Sequence, residues 1–208
     1  MTLKIEQILV GRMANFSYIL YDTETLESII VDPSWDLEKI FDFLKINKLS
    51  VKYIINTHTH FDHILGNDQI SLMTGAKVIQ HQNSNEPHDI SVNNGNMIYF
   101  GKSKIQVVFT PGHSRDSICL LIDDKYLITG DTLFVGNCGR TDLPGSDARQ
   151  MYESLFYTII KMDDSLIIYP GHNYGSTPVS TIGYEKTNNF VLQERTKDEF
   201  LEFMGIDD

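Results

Sequence analysis

Thr57-His58-Thr59-His60-Phe61-Asp62-His63 places three histidines and one aspartate within six positions. Packing seldom calls for such a run. Neutral imidazoles and a carboxylate are what zinc, iron and manganese bind. Three more segments end in a residue of the same kind: Thr110-Pro111-Gly112-His113, Thr129-Gly130-Asp131 and Tyr169-Pro170-Gly171-His172. Small residues before each ligand let the backbone turn tightly. Taken singly, His113 or His172 reads as an ordinary histidine; beside the 58–63 run they read as ligands. His81 and His88 sit in no such segment and read as surface or hydrogen-bonded core residues.

Each of the four segments follows an apolar run with strand character, at 51–56, 105–109, 125–129 and 165–169. Ligands leaving four strand ends can converge on one edge of a sheet stack. There they can hold two ions roughly 3.5 Å apart for hydrolysis. The rest of the chain alternates between strand and helix periods. Strands are predicted at 4–10, 16–22, 27–32, 77–80 and 117–122. Asp32-Pro33-Ser34 ends the third strand, and Asp36 is the expected cap of a helix over 37–47. Further helices are predicted over 64–75, 147–162, 183–194 and 196–204, whereas 83–97 is polar and without clear period. Mixed elements throughout, with no repeat or linker, predict one layered domain over residues 1–208.

Composition narrows the function classes. The 208-residue chain is 41% hydrophobic, enough for a full core, and no apolar run approaches the roughly 18 residues of a membrane helix. Its N-terminus lacks the layout of a signal peptide, and two cysteines, Cys119 and Cys138, are too few for a disulfide scaffold. A cytoplasmic setting is therefore expected. The net charge of −11 argues against nucleic acid, because phosphate binding needs a basic patch. No Gly-x-Ser-x-Gly elbow is present, and neither cysteine lies in a nucleophilic motif, which disfavours a covalent route. Cys138 reads as a packed residue.

The pattern His58-x-His60-x-Asp62-His63, followed in order by His113, Asp131 and His172, resembles the metallo-β-lactamase superfamily along nearly the whole chain. Gly130-Asp131-Thr132-Leu133-Phe134, Cys138-Gly139-Arg140-Thr141-Asp142, Tyr169-Pro170-Gly171-His172-Asn173-Tyr174 and Ser180 to Lys186 are similar to its glyoxalase II-like branch, the hydroxyacylglutathione hydrolases. That resemblance implies an α+β fold, an αββα sandwich of two mixed sheets flanked by helices. It implies two divalent ions, zinc as the first expectation and iron or manganese as alternatives. His58, His60 and His113 would hold the first, Asp62, His63 and His172 the second, and Asp131 would bridge them. Zinc β-lactamases of the commonest class carry Cys where this chain has Asp131, so a β-lactamase of that class is not expected.

The reaction so implied is thioester hydrolysis by hydroxide, with Asp62 and Asp131 in catalytic roles and a small-molecule thioester as partner. Asp62 would orient the water or receive a proton. Tyr174 falls where the resembling hydrolases contact glutathione; the bland alternative is a core or rim tyrosine. Arg140 is either a clamp for a substrate carboxylate or the partner of Asp142 or Asp147 in shaping its loop, with the second reading favoured. The larger glyoxalase II enzymes carry a C-terminal helical domain that grips glutathione; this chain resembles the short form, which leaves its thiol open. A homo-oligomer is compatible with the sequence. Persulfide dioxygenases share the fold and most motifs but use one iron, on the equivalents of His58, His113 and Asp131. Many have Ala at the position of Gly171 and Asp at that of Asn173, so those two residues favour the hydrolase.

Overall fold

The computed structural model describes residues 2–205. One sheet runs in the order β1 (Leu3–Val10), β2 (Asn15–Asp22), β3 (Glu27–Val31), β4 (Ser50–Ile55), β5 (Lys77–His81) and β6 (Ile90–Val92). Its first pairings are antiparallel and those from β3 onward are parallel. The second sheet is built from β7 (Met97–Phe100), β8 (Ser103–Phe109), β9 (Ile118–Ile122), β10 (Tyr126–Gly130), β13 (Ile167–Pro170) and β14 (Ser180–Thr181). A separate hairpin, β11 (Leu133–Phe134) and β12 (Asn137–Cys138), projects from β10.

Side chains alternate across a strand, so each strand here feeds two layers. In β2, Phe16, Tyr18 and Leu20 enter the core between the sheets, while Ile19 faces the helix layer. In β9, Ile118, Leu120 and Ile122 face inward and Cys119 faces outward. The outer face of the first sheet is covered by α1 (Leu37–Asn47) and α3 (Asn67–Thr74), through Ile40, Leu44 and Ile70. Met151 of α4 (Ala148–Glu153) and Phe200 of α6 (Lys197–Phe203) cover the second, with Leu155 and Ile159 between them in sequence and α5 (Ile182–Asn188) beside them. This is the αββα sandwich of two mixed sheets that the resemblance implied.

Several element boundaries differ from the sequence expectation. The helix over 64–75 is two helices, α2 (Phe61–Ile64) and α3, and α2 begins inside the histidine run. The helix over 147–162 keeps α geometry only to Glu153, then passes through a π turn at Ser154–Thr158 and a 3-10 turn at Ile159–Lys161. Ser154 Oγ there donates to Pro111 O at 2.6 Å, so the irregular turn is tied to the His113 segment. The helix over 183–194 ends at Asn188, and Asn189 caps a short 3-10 turn, Phe190–Leu192. Asp36 occupies the N-cap position of α1, at φ 54°, but its carboxylate makes no cap bond and accepts from Gly11 N and Lys39 Nζ instead. The polar stretch 83–97 contains β6 and the start of β7, whose pairing comes from neighbours and not from its own pattern.

The topology explains why the ligand segments meet. β8 and β10 are both antiparallel to β9, and β13 is parallel to β10, so all three run the same way. Their C-terminal ends, which lead to His113, Asp131 and His172, therefore share one edge. β4 brings the 58–63 run to the same edge from the other sheet, where Ile118 N donates to Thr57 O at 2.8 Å. β3 is parallel to β4, so Asp32, just past its end, arrives there too.

Candidate metal centre

Three ligand groupings form at this edge: His58, His60 and His113; Asp62, His63 and His172; and His58, His63 and Asp131. Within each, the ligand atoms lie within 4.8 Å of one another. All seven predicted ligands are thus brought together. All are buried except His60, which is half-buried at the cleft. Asp131 lies between the first two groupings. Its Oδ2 is 3.4 Å from His113 Nε2 and 3.3 Å from His172 Nε2, and its Oδ1 is 3.6 Å from His63 Nε2.

Hydrogen bonds behind the ring leave the ligand atoms free. His113 Nδ1 donates to Arg140 O and His172 Nδ1 to Met13 O, both at 2.9 Å. A carbonyl only accepts, so each ring keeps its Nδ1 proton behind it and turns Nε2 toward the centre. His63 Nδ1 lies 3.0 Å from Asp32 Oδ2, which orients it in the same way. Asp32 also accepts from Thr57 N at 2.7 Å and Thr57 Oγ1 at 2.6 Å. Asn15 Nδ2 donates to Asp62 Oδ2 at 2.9 Å and to Asp62 O at 3.1 Å. The Tyr18 hydroxyl donates to Pro170 O and fixes the turn before His172.

The fit to a cation is visible in what lacks a partner. His58 Nε2 and Asp131 Oδ1 are buried without a hydrogen-bond partner, which is costly unless something else satisfies them. His60 Nδ1 faces His113 Nε2 at 2.8 Å, and His63 Nε2 faces His172 Nε2 at 3.2 Å. Opposed imidazole nitrogens suit a shared positive ion. Burial, with His63 and His113 nearby, pushes His58 well below its usual value, so it stays neutral. Burial opposes ionisation of Asp131 and Asp62, yet both are held below the usual carboxylate range. For Asp131 the main cause is His63, then His172; for Asp62 it is the contact with His63, then Asn15. Burial alone would lower His63, but Asp131, Asp32 and Asp62 raise it. The donor set of imidazole and carboxylate suits zinc, iron or manganese.

The glycines before the ligands have specific work. A Cβ on Gly112, at φ +146°, would lie 2.4 Å from Met151 Cα, so only glycine lets the His113 turn pack on α4. A Cβ on Gly171 would lie 2.2 Å from Asp131 Oδ1.

A cleft of about 630 Å³ opens in front of the ligands, and both predicted substrate residues line it. The Tyr174 ring stacks on His172, with centroids 4.7 Å apart and planes 9° from parallel. Arg140 makes two 2.5 Å contacts with the Asp142 carboxylate, while Asp147 caps α4. Cys138 also lines the cleft, but burial pushes its thiol up to about 12, so it is no nucleophile at neutral pH. His81 stacks on Phe109 and His88 lies between Glu86 O and Ser91, both outside the centre. The residues missed at sequence level are Asp32, Asn15, Asp116 and Tyr18. For Asp32 a signal existed: a carboxylate just past an apolar strand that the fold sets beside the ligand-bearing strand.

A two-sheet sandwich with imidazole and carboxylate ligands on one edge defines a class of divalent-metal enzymes. The chain belongs to the metallo-β-lactamase superfamily, whose family model matches residues 10–172. It is 30% identical to the probable polyketide biosynthesis zinc-dependent hydrolase PksB of Bacillus subtilis, over 91% of this chain and 86% of that protein. It is 32% identical to human mitochondrial persulfide dioxygenase ETHE1, over 91% of this chain and 76% of that protein. It is 36% identical to the hydroxyacylglutathione hydrolase of Francisella tularensis subsp. novicida, over 78% of this chain and 64% of that protein. Among solved structures, ETHE1 from Myxococcus xanthus superposes with a TM-score of 0.89 at 30% identity, covering 97% of this chain and 90% of that one. No helix among the described residues is long and apolar enough to cross a membrane.

Proposed function

We propose that this protein hydrolyses thioesters, of the hydroxyacylglutathione type or a related acyl-thiol, with two divalent ions. His58, His60 and His113 would hold one ion, Asp62, His63 and His172 the other, and Asp131 both. The observation that carries this reading is the Asp131 carboxylate, within 3.4 Å of His113 and 3.3 Å of His172, one from each three-ligand set. Gly171 supports it, because the methyl of an alanine there would displace Asp131 Oδ1, the oxygen 3.6 Å from His63 Nε2. When bound, such ions acidify water toward hydroxide near neutral pH and polarise a carbonyl.

The protein's own groups do the rest. Asn15 holds Asp62 with one oxygen toward the ligands, leaving the carboxylate placed to orient the attacking water or take its proton. The outer rings, Tyr174 over His172 and Phe134 edge-on to both, form an aromatic wall beside the ligands. A thiolate is a good leaving group and needs little acid help.

The similarity to persulfide dioxygenases favours a second reading, in which one iron on His58, His113 and Asp131 uses oxygen. Two assays on one preparation separate them. Release of thiol from S-lactoylglutathione or another acyl-thiol, without oxygen uptake on glutathione persulfide, is the expected result. Oxygen consumption with the persulfide and no thioester cleavage overturns the hydrolase reading.

A further inference from the structure

The chemistry of the cleft wall narrows the substrate. We infer that the cleft takes thioesters with an apolar acyl group on an uncharged thiol arm, in preference to anionic thiols such as glutathione. This rests on the thioester reading above.

Beyond the ligands, the wall is mostly apolar, formed by Met13, Phe61, Phe134, Leu143, Pro144 and Tyr174 beside the polar Asn137 and Arg140. Three of these are large side chains left substantially exposed: Met13 at 41%, Phe61 at 59% and Tyr174 at 56%. Exposed apolar side chains gathered around a concave site mark a surface that a ligand covers. A cleft of about 630 Å³ is large enough for an acyl chain of several carbons as well as the thioester.

Charge decides the other half. Arg140 is the one Lys or Arg side chain in the lining, and Asp142 already pairs with it through both guanidinium contacts. Glutathione carries two carboxylates and one ammonium, so it arrives with a net negative charge. Among the described residues, the lining holds no unpaired Lys or Arg to receive it. The chain's net charge of −11 adds a weak, salt-screened repulsion. A neutral amide-bearing thiol meets no such penalty, and an apolar acyl chain gains from the wall.

The reaction balances without a further reactant. Water's oxygen bonds to the acyl carbon, the C–S bond breaks, and a proton from that water ends on the thiolate, giving a carboxylic acid and a free thiol. No electrons are exchanged.

The test compares acetyl, butyryl and hexanoyl esters of N-acetylcysteamine, a neutral thiol, with the same esters of glutathione, using the metal-loaded enzyme. The expected kcat/KM is at least about tenfold higher for the neutral series. It should also rise up to about three- to fourfold per added methylene, the scale of burying one CH₂. In Asp142→Asn, which frees Arg140, the preference for the neutral series should shrink several-fold. A preference for glutathione esters, a flat response to chain length, or an unchanged preference in Asp142→Asn overturns the inference while leaving thioester hydrolysis intact. Failure to cleave either series overturns the thioester reading and this inference with it.

Discussion

Both sets line the cleft, but the first, His58, His60 and His113, includes a half-buried His60, whereas Asp62, His63 and His172 are all buried and each held from behind. In the second set, Asp32 grips His63, Asn15 grips Asp62, and Met13 O grips His172. In the first, His113 is tied to Arg140 O, but the carboxylate serving that side, Asp116, touches no ligand. It accepts from Thr59 Oγ1 at 2.5 Å and Ser114 Oγ at 2.7 Å, and so acts through neighbours of His58, His60 and His113. The contrast suggests a division of labour. On the two-ion proposal, the half-open set would leave room for substrate and the braced set would hold the second ion. A partner behind a ligand fixes its orientation and raises its basicity, and losing that partner costs metal affinity.

Substitutions can break this contrast. The largest effect is expected at the residue shared by both sets. Asp131→Ala should lose activity by about 10³-fold or more, since it removes charge at the reacting centre. Its metal content should fall at both sites, as read by elemental analysis. Next comes Asp32→Asn, which leaves every ligand in place but weakens the hold on His63. It should cost about 10- to 100-fold in affinity for the ion on His63 and less for the other, because Asp32 reaches His58 only through Thr57. Metal titration would then show one tight and one weak step. Equal weakening of both steps would erase the proposed difference between the sets.

A braced carboxylate far from either set sharpens the comparison. The backbone N–H of Thr25, then those of Lys102 and Glu24 and the Thr2 hydroxyl, hold Asp22 at about 2 against an ordinary 3.8. A lowered carboxylate pKa gives stability that is full above the ordinary value and is lost as pH falls through about 2. Asp22→Asn should therefore lower Tm at neutral pH, with the gap closing below about pH 4, and leave metal stoichiometry unchanged.

The seven candidate ligands were legible because four short segments state them locally: the 58–63 run, two Pro-Gly-His turns and one Thr-Gly-Asp turn. Most strands were legible as apolar runs for the same reason. What could not be read depends on topology. Asp32 lies 31 positions from the His63 it orients, and only the parallel pairing of β3 with β4 joins them. Asn15 is 47 positions from Asp62, and Asp116 is 57 from Thr59. β6 and the β11–β12 hairpin are too short to carry a period of their own, and their partners create them. The π turn after α4 arises where Ser154 reaches the His113 segment, a tertiary contact that helical spacing does not encode.

The central claim is that both ligand sets hold metal in the working enzyme. Elemental analysis of the purified, active protein, expressed as metal per chain, tests it most directly. The account predicts two ions per chain, with thioester cleavage rising in step as the second site fills. One iron per chain, with full activity and no gain on adding more metal, would contradict it.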